Sequence, residues 1–134
     1  MSIKASLLVA EEITFDPENR CHSVRNVLNG IAVTMFPTAM ITDILIKFMF
    51  SDMNYNNTGS IHVYAPDGIL IVNSPILEIR NYRSQVAVPG MEARVQMRYA
   101  VTEEGTYFYK LMVDQSVIAE YPLYVHLRGR QDGS

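Results

Sequence analysis

Glu104-Gly105-Thr106-Tyr107-Phe108-Tyr109-Lys110-Leu111-Met112-Val113-Asp114 is the stretch on which the fold turns. A turn ending in glycine runs into strict alternation. Tyr107, Tyr109, Leu111 and Val113 fall on one side of an extended chain, and Phe108, Lys110 and Met112 on the other, as a period of two requires. The stretch predicts a strand with one buried face. Val117 to Leu127 follows as its partner across Asp114-Gln115-Ser116, with Val117, Ala119, Tyr121, Leu123, Val125 and Leu127 expected on one face. Pro122 lacks an amide donor, which suits an edge or a bulge.

Working back along the chain gives more strands of the same kind. Ile3 to Ala10 is a first strand, extended by Ile13-Thr14-Phe15 past a break at Glu11-Glu12. Asp16 to Arg20 is a turn, and Cys21 to Leu28 is a second strand. Asn29-Gly30 is a hairpin signal with Ile31 to Val33 as the return arm, or else a bulge within one longer strand. Phe36-Pro37-Thr38-Ala39 reads as a connection crossing between sheets. Ile41 to Phe50 follows, with Ile44, Ile46, Phe48 and Phe50 on its buried face. Ser51 to Ser60 is a polar loop. Ile61 to Ala65 and Ile69 to Val72 flank the turn Pro66-Asp67-Gly68, and Pro75 interrupts the run to Ile79. Asn81 to Gln85 is a loop and Pro89-Gly90 a turn. Met91 to Val101 then points Val95, Met97 and Tyr99 inward and Arg94, Gln96 and Arg98 outward. No helical period persists beyond two turns, so eight or nine short strands spaced by turn signals predict an all-β, two-layer antiparallel sandwich.

Acid-Gly-x-Tyr entering a strand resembles the tyrosine corner of immunoglobulin-like sandwiches, where the phenol of Tyr107 would bond to preceding backbone. A wider resemblance rests on three stretches: Leu7 to Glu12; Val24 to Gly30 leading to Phe36-Pro37; and Glu104 to Tyr107 with Pro122 to Val125. Together they resemble a bacterial family of small single-domain β-sandwiches without an established activity. The resemblance implies a fold and no catalytic residue. Asn26 stands where that family usually has glycine, and Gly30 where it has a side chain, so residues 26 to 31 stay open between the two paths.

The chain of 134 residues is expected to be one domain over residues 1–128 with a polar tail over 129–134. That length suffices to bury roughly two-thirds of the unfolded surface. Charged residues make up 19% and hydrophobic ones 49%, with a mean hydropathy of +0.06. This is few charges for a soluble domain and implies either a generous core or a surface covered by a partner. A net charge of −3 with scattered basic residues argues against nucleic acid. The N-terminal apolar run is too short to span a bilayer, so no membrane association is expected and the location read from the sequence is cytoplasmic.

Chemistry is sparse. Cys21 is the single cysteine, which excludes an internal disulfide and a cysteine-based zinc site; a buried inert thiol is expected. His22, His62 and His126 are isolated on strands and read as outer-face residues, with no metal-binding spacing. Cys21 and His22 point to opposite faces and cannot pair as nucleophile and base. Glu11, Glu12 and Asp16 read as a solvated turn. The expectation is no enzyme, no cofactor and no metal.

Two functions from different classes fit what is left. The first is a non-catalytic interaction module, docking a protein partner or a second copy through an outer sheet face or an edge strand. If Ile41–Phe50 and the organising strand share a sheet, Leu45, Lys47, Met49, Phe108, Lys110 and Met112 form one outer patch, with methionine supplying adaptable contacts and lysine stems lying along it. The second is a sugar- or nucleotide-binding sandwich, using Tyr55, Asn56 and Asn57 in one loop and Tyr82 and Arg83 in another. Outward tyrosines, Tyr64 and Tyr124 among them, suit either.

Overall fold

The computed structural model describes residues 3–129. The polar tail expected over 129–134 thus lies, apart from Gly129, outside the described residues. Among the described residues there are ten strands: β1 Ile3–Asp16, β2 Cys21–Val27, β3 Gly30–Val33, β4 Thr38–Phe50, β5 Asn56–Tyr64, β6 Leu70–Asn73, β7 Leu77–Arg80, β8 Gly90–Val101, β9 Gly105–Val113 and β10 Ser116–Leu127. They form two sheets, one ordered β2-β1-β4-β8 and one ordered β3-β10-β9-β5-β6, with β7 also on β5. Every pairing is antiparallel except β3 with β10, which is parallel. The expected all-β sandwich is present.

The core is what the alternation dictated. Ile44, Ile46 and Phe48 of β4 and Tyr107, Tyr109 and Leu111 of β9 are fully buried, facing each other across the layers with Val95, Met97 and Tyr99 of β8. Three hydroxyls inside this apolar space satisfy one another, as buried polar groups must. Tyr109 Oη lies 2.8 Å from Thr42 Oγ1 and 2.6 Å from Tyr99 Oη, and Tyr99 donates to Met40 Sδ at 3.4 Å. Burial pushes the Tyr109 phenol up to about 12 and raises that of Tyr99 as well.

Tyr107 makes the corner. Its hydroxyl donates to the Glu103 carbonyl at 2.8 Å and accepts from the amides of Thr102 and Glu103 at 3.2 and 3.3 Å. Gly105 precedes it at φ +138°, a conformation open to glycine, and a Cβ there would meet the Pro66 ring at 2.7 Å.

Several boundaries differ from expectation, each for a local reason. Asn29-Gly30 is neither a hairpin nor a bulge. The second strand stops at Val27, one residue after Asn26 takes φ +53° in the role glycine usually fills, and the chain passes into the other sheet as β3. Phe36-Pro37, with a cis peptide, brings it back to β4. Asn56 and Asn57, expected in a loop, open β5 opposite Arg80 and Ile79. Pro75 splits one edge into β6 and β7; at the gap the Ser74 amide bonds the Ile61 carbonyl, and Ser74 Oγ accepts from the Ile61 amide. A register shift after Val117 leaves that residue exposed rather than inward. Cys21 is exposed, not buried, because it opens β2 at the tip of a hairpin.

No break occurs at Glu11-Glu12. The strand instead runs on to Asp16 while changing partners: Ile3 to Ala10 pair with β4, and Ala10 to Asp16 pair with β2. The β1–β2 hairpin therefore forms an arm over the outer face of the four-stranded sheet. Asp43, pointing outward from β4, anchors it. This carboxylate is 2% exposed. It accepts the Ile13 amide at 2.8 Å, Arg94 Nε and Nη2 at 3.2 and 3.1 Å, and Gln96 Nε2 at 3.4 Å.

Candidate functional site

β8 is the outermost strand of its sheet, pairing with β4 over its whole length from Gly90 to Val101 without a register shift. The phase of that ladder follows from one bond, in which the Phe50 amide donates to the Pro89 carbonyl at 2.9 Å. Hydrogen-bonded pairs alternate in an antiparallel ladder, so odd-numbered residues of β8 bond β4 and even-numbered ones turn their amides and carbonyls away from it. Gly90 confirms the phase: its amide bonds Asn81 Oδ1 and its carbonyl accepts the Tyr82 amide, both at 3.0 Å. Beyond that cap, among the described residues, the backbone groups of Glu92, Arg94, Gln96, Arg98 and Ala100 face no neighbouring strand.

The side chains of these even-numbered residues lie on the outer face, and the charge there runs against the charge of the chain. Along β4, β8 and the 81–90 loop, Lys47, Arg83, Arg94 and Arg98 stand with the carboxylates Asp43 and Glu92 in a chain of net charge −3, while the arm adds Glu11 and Glu12, both paired with Arg25. Glu92 is bonded to Arg83 and lies 3.9 Å from Lys47 Nζ. Arg94 is held by Asp43. On the inner side of the edge, β6 and β7 pack against β8. The chain around them exposes apolar side chains, with Leu70 at 43% and Ile76 at 69%, followed by Val86 and Val88 in the loop before β8.

Beside this edge, the arm and the 81–90 loop enclose an open cleft of about 760 Å3. Phe15 and His22, their rings tilted at 47° with centroids 4.9 Å apart, form its arm side; Leu45 and Lys47 form part of its floor; Tyr82 and Arg83 close it. Tyr82 Oη accepts from Arg80 Nε at 3.0 Å, which raises the pKa of that exposed guanidinium. A second cleft of about 490 Å3 at another place is lined by Tyr55, Asn56, Asn57 and Asp114.

The structure redistributes the residues singled out from the sequence. Leu45, Lys47 and Met49 lie on the outer face of the four-stranded sheet, and Phe108, Lys110 and Met112 on that of the six-stranded sheet. The proposed single patch does not exist, because the strands carrying its halves lie in different layers with their other faces buried between them. Lys110 instead places its ammonium 4.9 Å from the centre of the Tyr64 ring. The ligand-loop residues also separate. Tyr82 and Arg83 share a cleft with Leu45 and Lys47, while Tyr55 stacks on Phe50 at 4.8 Å and Asn57 donates to Asp114 at 2.7 Å. His22, His62 and His126 lie on β2, β5 and β10. No group of three or more His, Cys, Asp or Glu stands where it could hold a metal ion among the described residues, and no helix among them is long and apolar enough to cross a membrane. Sequence reasoning missed Asp43, whose only signal was a carboxylate inside the most apolar strand.

This arrangement defines a small immunoglobulin-like β-sandwich in which β8, an exposed edge strand, carries Arg94 and Arg98 on its outer side. The chain is similar in structure to the CARDB domain of a Pyrococcus furiosus protein in complex with di-metal ions. The two share 14% sequence identity at a TM-score of 0.51, over 95% of this chain and 94% of that one. Beta-glucosidase 3B from Thermotoga neapolitana, in complex with glucose, matches at 10% identity and a TM-score of 0.44 over 92% of this chain, which spans 16% of that enzyme. No protein-family model and no curated protein matches.

Proposed function

We propose that the protein is a non-catalytic interaction module that docks a protein through the free edge of β8. The observation that carries this reading is the row of edge-facing amides and carbonyls from Glu92 to Ala100 on a regular strand of 12 residues. Unpaired ladder groups of this kind are a template for a further strand. Natural edges are commonly blunted by proline, bulges or covering loops; here the loop covers only Gly90. Membership of the bacterial sandwich family that the sequence resembles belongs to the same proposal, as does a role inside the cell.

The testing variant is Gln96→Pro. The Gln96 amide faces away from β4, so proline there blocks strand addition without removing a ladder bond. A partner captured by the wild type, identified and then purified, should bind the wild type and lose at least about tenfold in affinity for this variant, a change of about 1.4 kcal/mol. Equal binding by the two chains refutes docking at this edge. Small-molecule binding draws support from the cleft that joins Tyr82 and Arg83 to Lys47 and Phe15. It draws less than the edge does, because Arg83 is already bonded to Glu92 and the Val88 carbonyl.

A further inference from the structure

We propose, building on the edge reading above, that the strand received by β8 is an extended segment alternating acidic and apolar residues. Three features of the edge specify this chemistry. The backbone groups of Glu92, Arg94, Gln96, Arg98 and Ala100 repeat at every second residue, so the occupant is an extended backbone able to match that spacing. On one side of an added strand lies the outer face of β4, β8 and the 81–90 loop, where Lys47, Arg83, Arg94 and Arg98 outnumber Asp43 and Glu92. On its other side lies the inner face, where β8 turns Met91, Val95, Met97 and Tyr99 toward the core and β6 and β7 pack against it. Successive side chains of a strand point to opposite faces, so carboxylates alternating with aliphatic residues satisfy both sides at once.

The same charges disfavour one register of pairing with a second copy. Antiparallel self-pairing centred on Gln96 sets Arg94 opposite the Arg98 of the other copy, twice. Centring on Val95 sets Arg98 opposite Glu92, a carboxylate already bonded to Arg83 and near Lys47. Like charges directly opposite across a ladder are destabilising. Arg98 has no carboxylate within ion-pair distance among the described residues and is the cation most available to an incoming acid.

The experiment titrates the isotopically labelled chain with two end-capped ten-residue peptides, one alternating Glu and Val, the other Lys and Val. Backbone amide shifts are followed by NMR at low salt. The expected result is displacement centred on the amides of Glu92, Arg94, Gln96, Arg98 and Ala100, with the Glu peptide binding at least about tenfold more tightly. That preference should shrink in about 0.5 M salt, where charges are screened within a few ångströms. Arg98→Glu keeps the edge backbone and should abolish the preference or reverse it. Displacement of the same amides by both peptides with equal affinity overturns the acidic occupant and leaves the edge reading standing. No displacement of those amides by either peptide overturns both. A wild type that sediments as a dimer, and becomes monomeric as Gln96→Pro, gives the edge to a second copy and overturns the acidic occupant alone.

Discussion

Removing the carboxylate of Asp43 should detach the β1–β2 arm from the sheet it covers, and the structure says which of its bonds matters most. The Ile13 amide donates to Asp43 Oδ2 at 2.8 Å in a buried setting. A hydrogen bond to a charged group contributes about 1.5–3 kcal/mol, and leaving the amide unpaired costs a similar amount. The Arg94 contacts are counted at less. The Arg94 side chain is 45% exposed, so its pairing is screened by water and contributes no more than about 1 kcal/mol. Asp43→Ala is therefore expected to lose about 3 kcal/mol, and Arg94→Ala less than about 1 kcal/mol. The assay is urea unfolding followed by far-UV circular dichroism, reading midpoints at a common slope, with amide exchange at Ile13 as the local readout. At this chain length the larger loss corresponds to a melting point lower by roughly 10 °C. If Arg94→Ala costs as much as Asp43→Ala, the ion pair between β4 and β8, and not the Ile13 amide bond, carries the contribution of Asp43. If Asp43→Ala costs under about 1 kcal/mol with Ile13 still protected, Asp43 does not anchor the arm at all.

Tyr107→Phe removes one donated and two accepted hydrogen bonds at the corner. Because Thr102 and Glu103 are exposed enough for water to replace part of this, it should cost about 1–3 kcal/mol by the same unfolding assay. Ultraviolet titration of the phenols should show Tyr99 and Tyr109 remaining protonated after the exposed tyrosines have ionised. Their folded-state values lie above the ordinary value of 10.0. The folded state therefore holds protons that the unfolded chain releases. Stability is intact below pH 10 and falls as pH rises from there through about 12, by about 1.4 kcal/mol per pH unit for each such group; a flat stability curve over that range would contradict the burial. Gly90→Ala places a Cβ 2.3 Å from the Phe48 carbonyl oxygen. Relieving that overlap should cost about 1–3 kcal/mol, with an unchanged melting point as the contrary result.

The parts of this molecule that were legible in its sequence are those governed by alternation. β8 and β9 carry apolar residues at every second position, so inward and outward faces follow from period two alone, and acid-Gly-x-Tyr set the corner because Gly105 and Tyr107 act within a few residues of each other. The candidate site was less legible, since it depends on which strands share a sheet. Strands β4 and β9 have equally amphipathic sequences, and nothing in either tells that one belongs to each layer. That single missing fact merged Met49 and Met112 into one patch. The free edge was invisible for a related reason: Arg94, Gln96 and Arg98 read as outward residues whether or not another strand lies beside them. Asp43 was hidden because its partner is a backbone amide of Ile13, 30 residues away, and carries no sequence signature.

The two terminal strands have a mechanical consequence. Ile3, at the start of β1, lines the same cleft as Ser116, at the start of β10. β10 then runs 12 residues to Leu127, beside Val33 at the far end, a span of about 40 Å at roughly 3.3 Å per residue. The ends of the described chain thus leave from opposite poles. Tension applied through them pulls β1 lengthwise against β4, and the pairs from Ile3↔Phe50 to Ala10↔Asp43 resist as a group. A strand peeled sideways would release those bonds one by one. Drawn along its own axis, it must shear the whole row together.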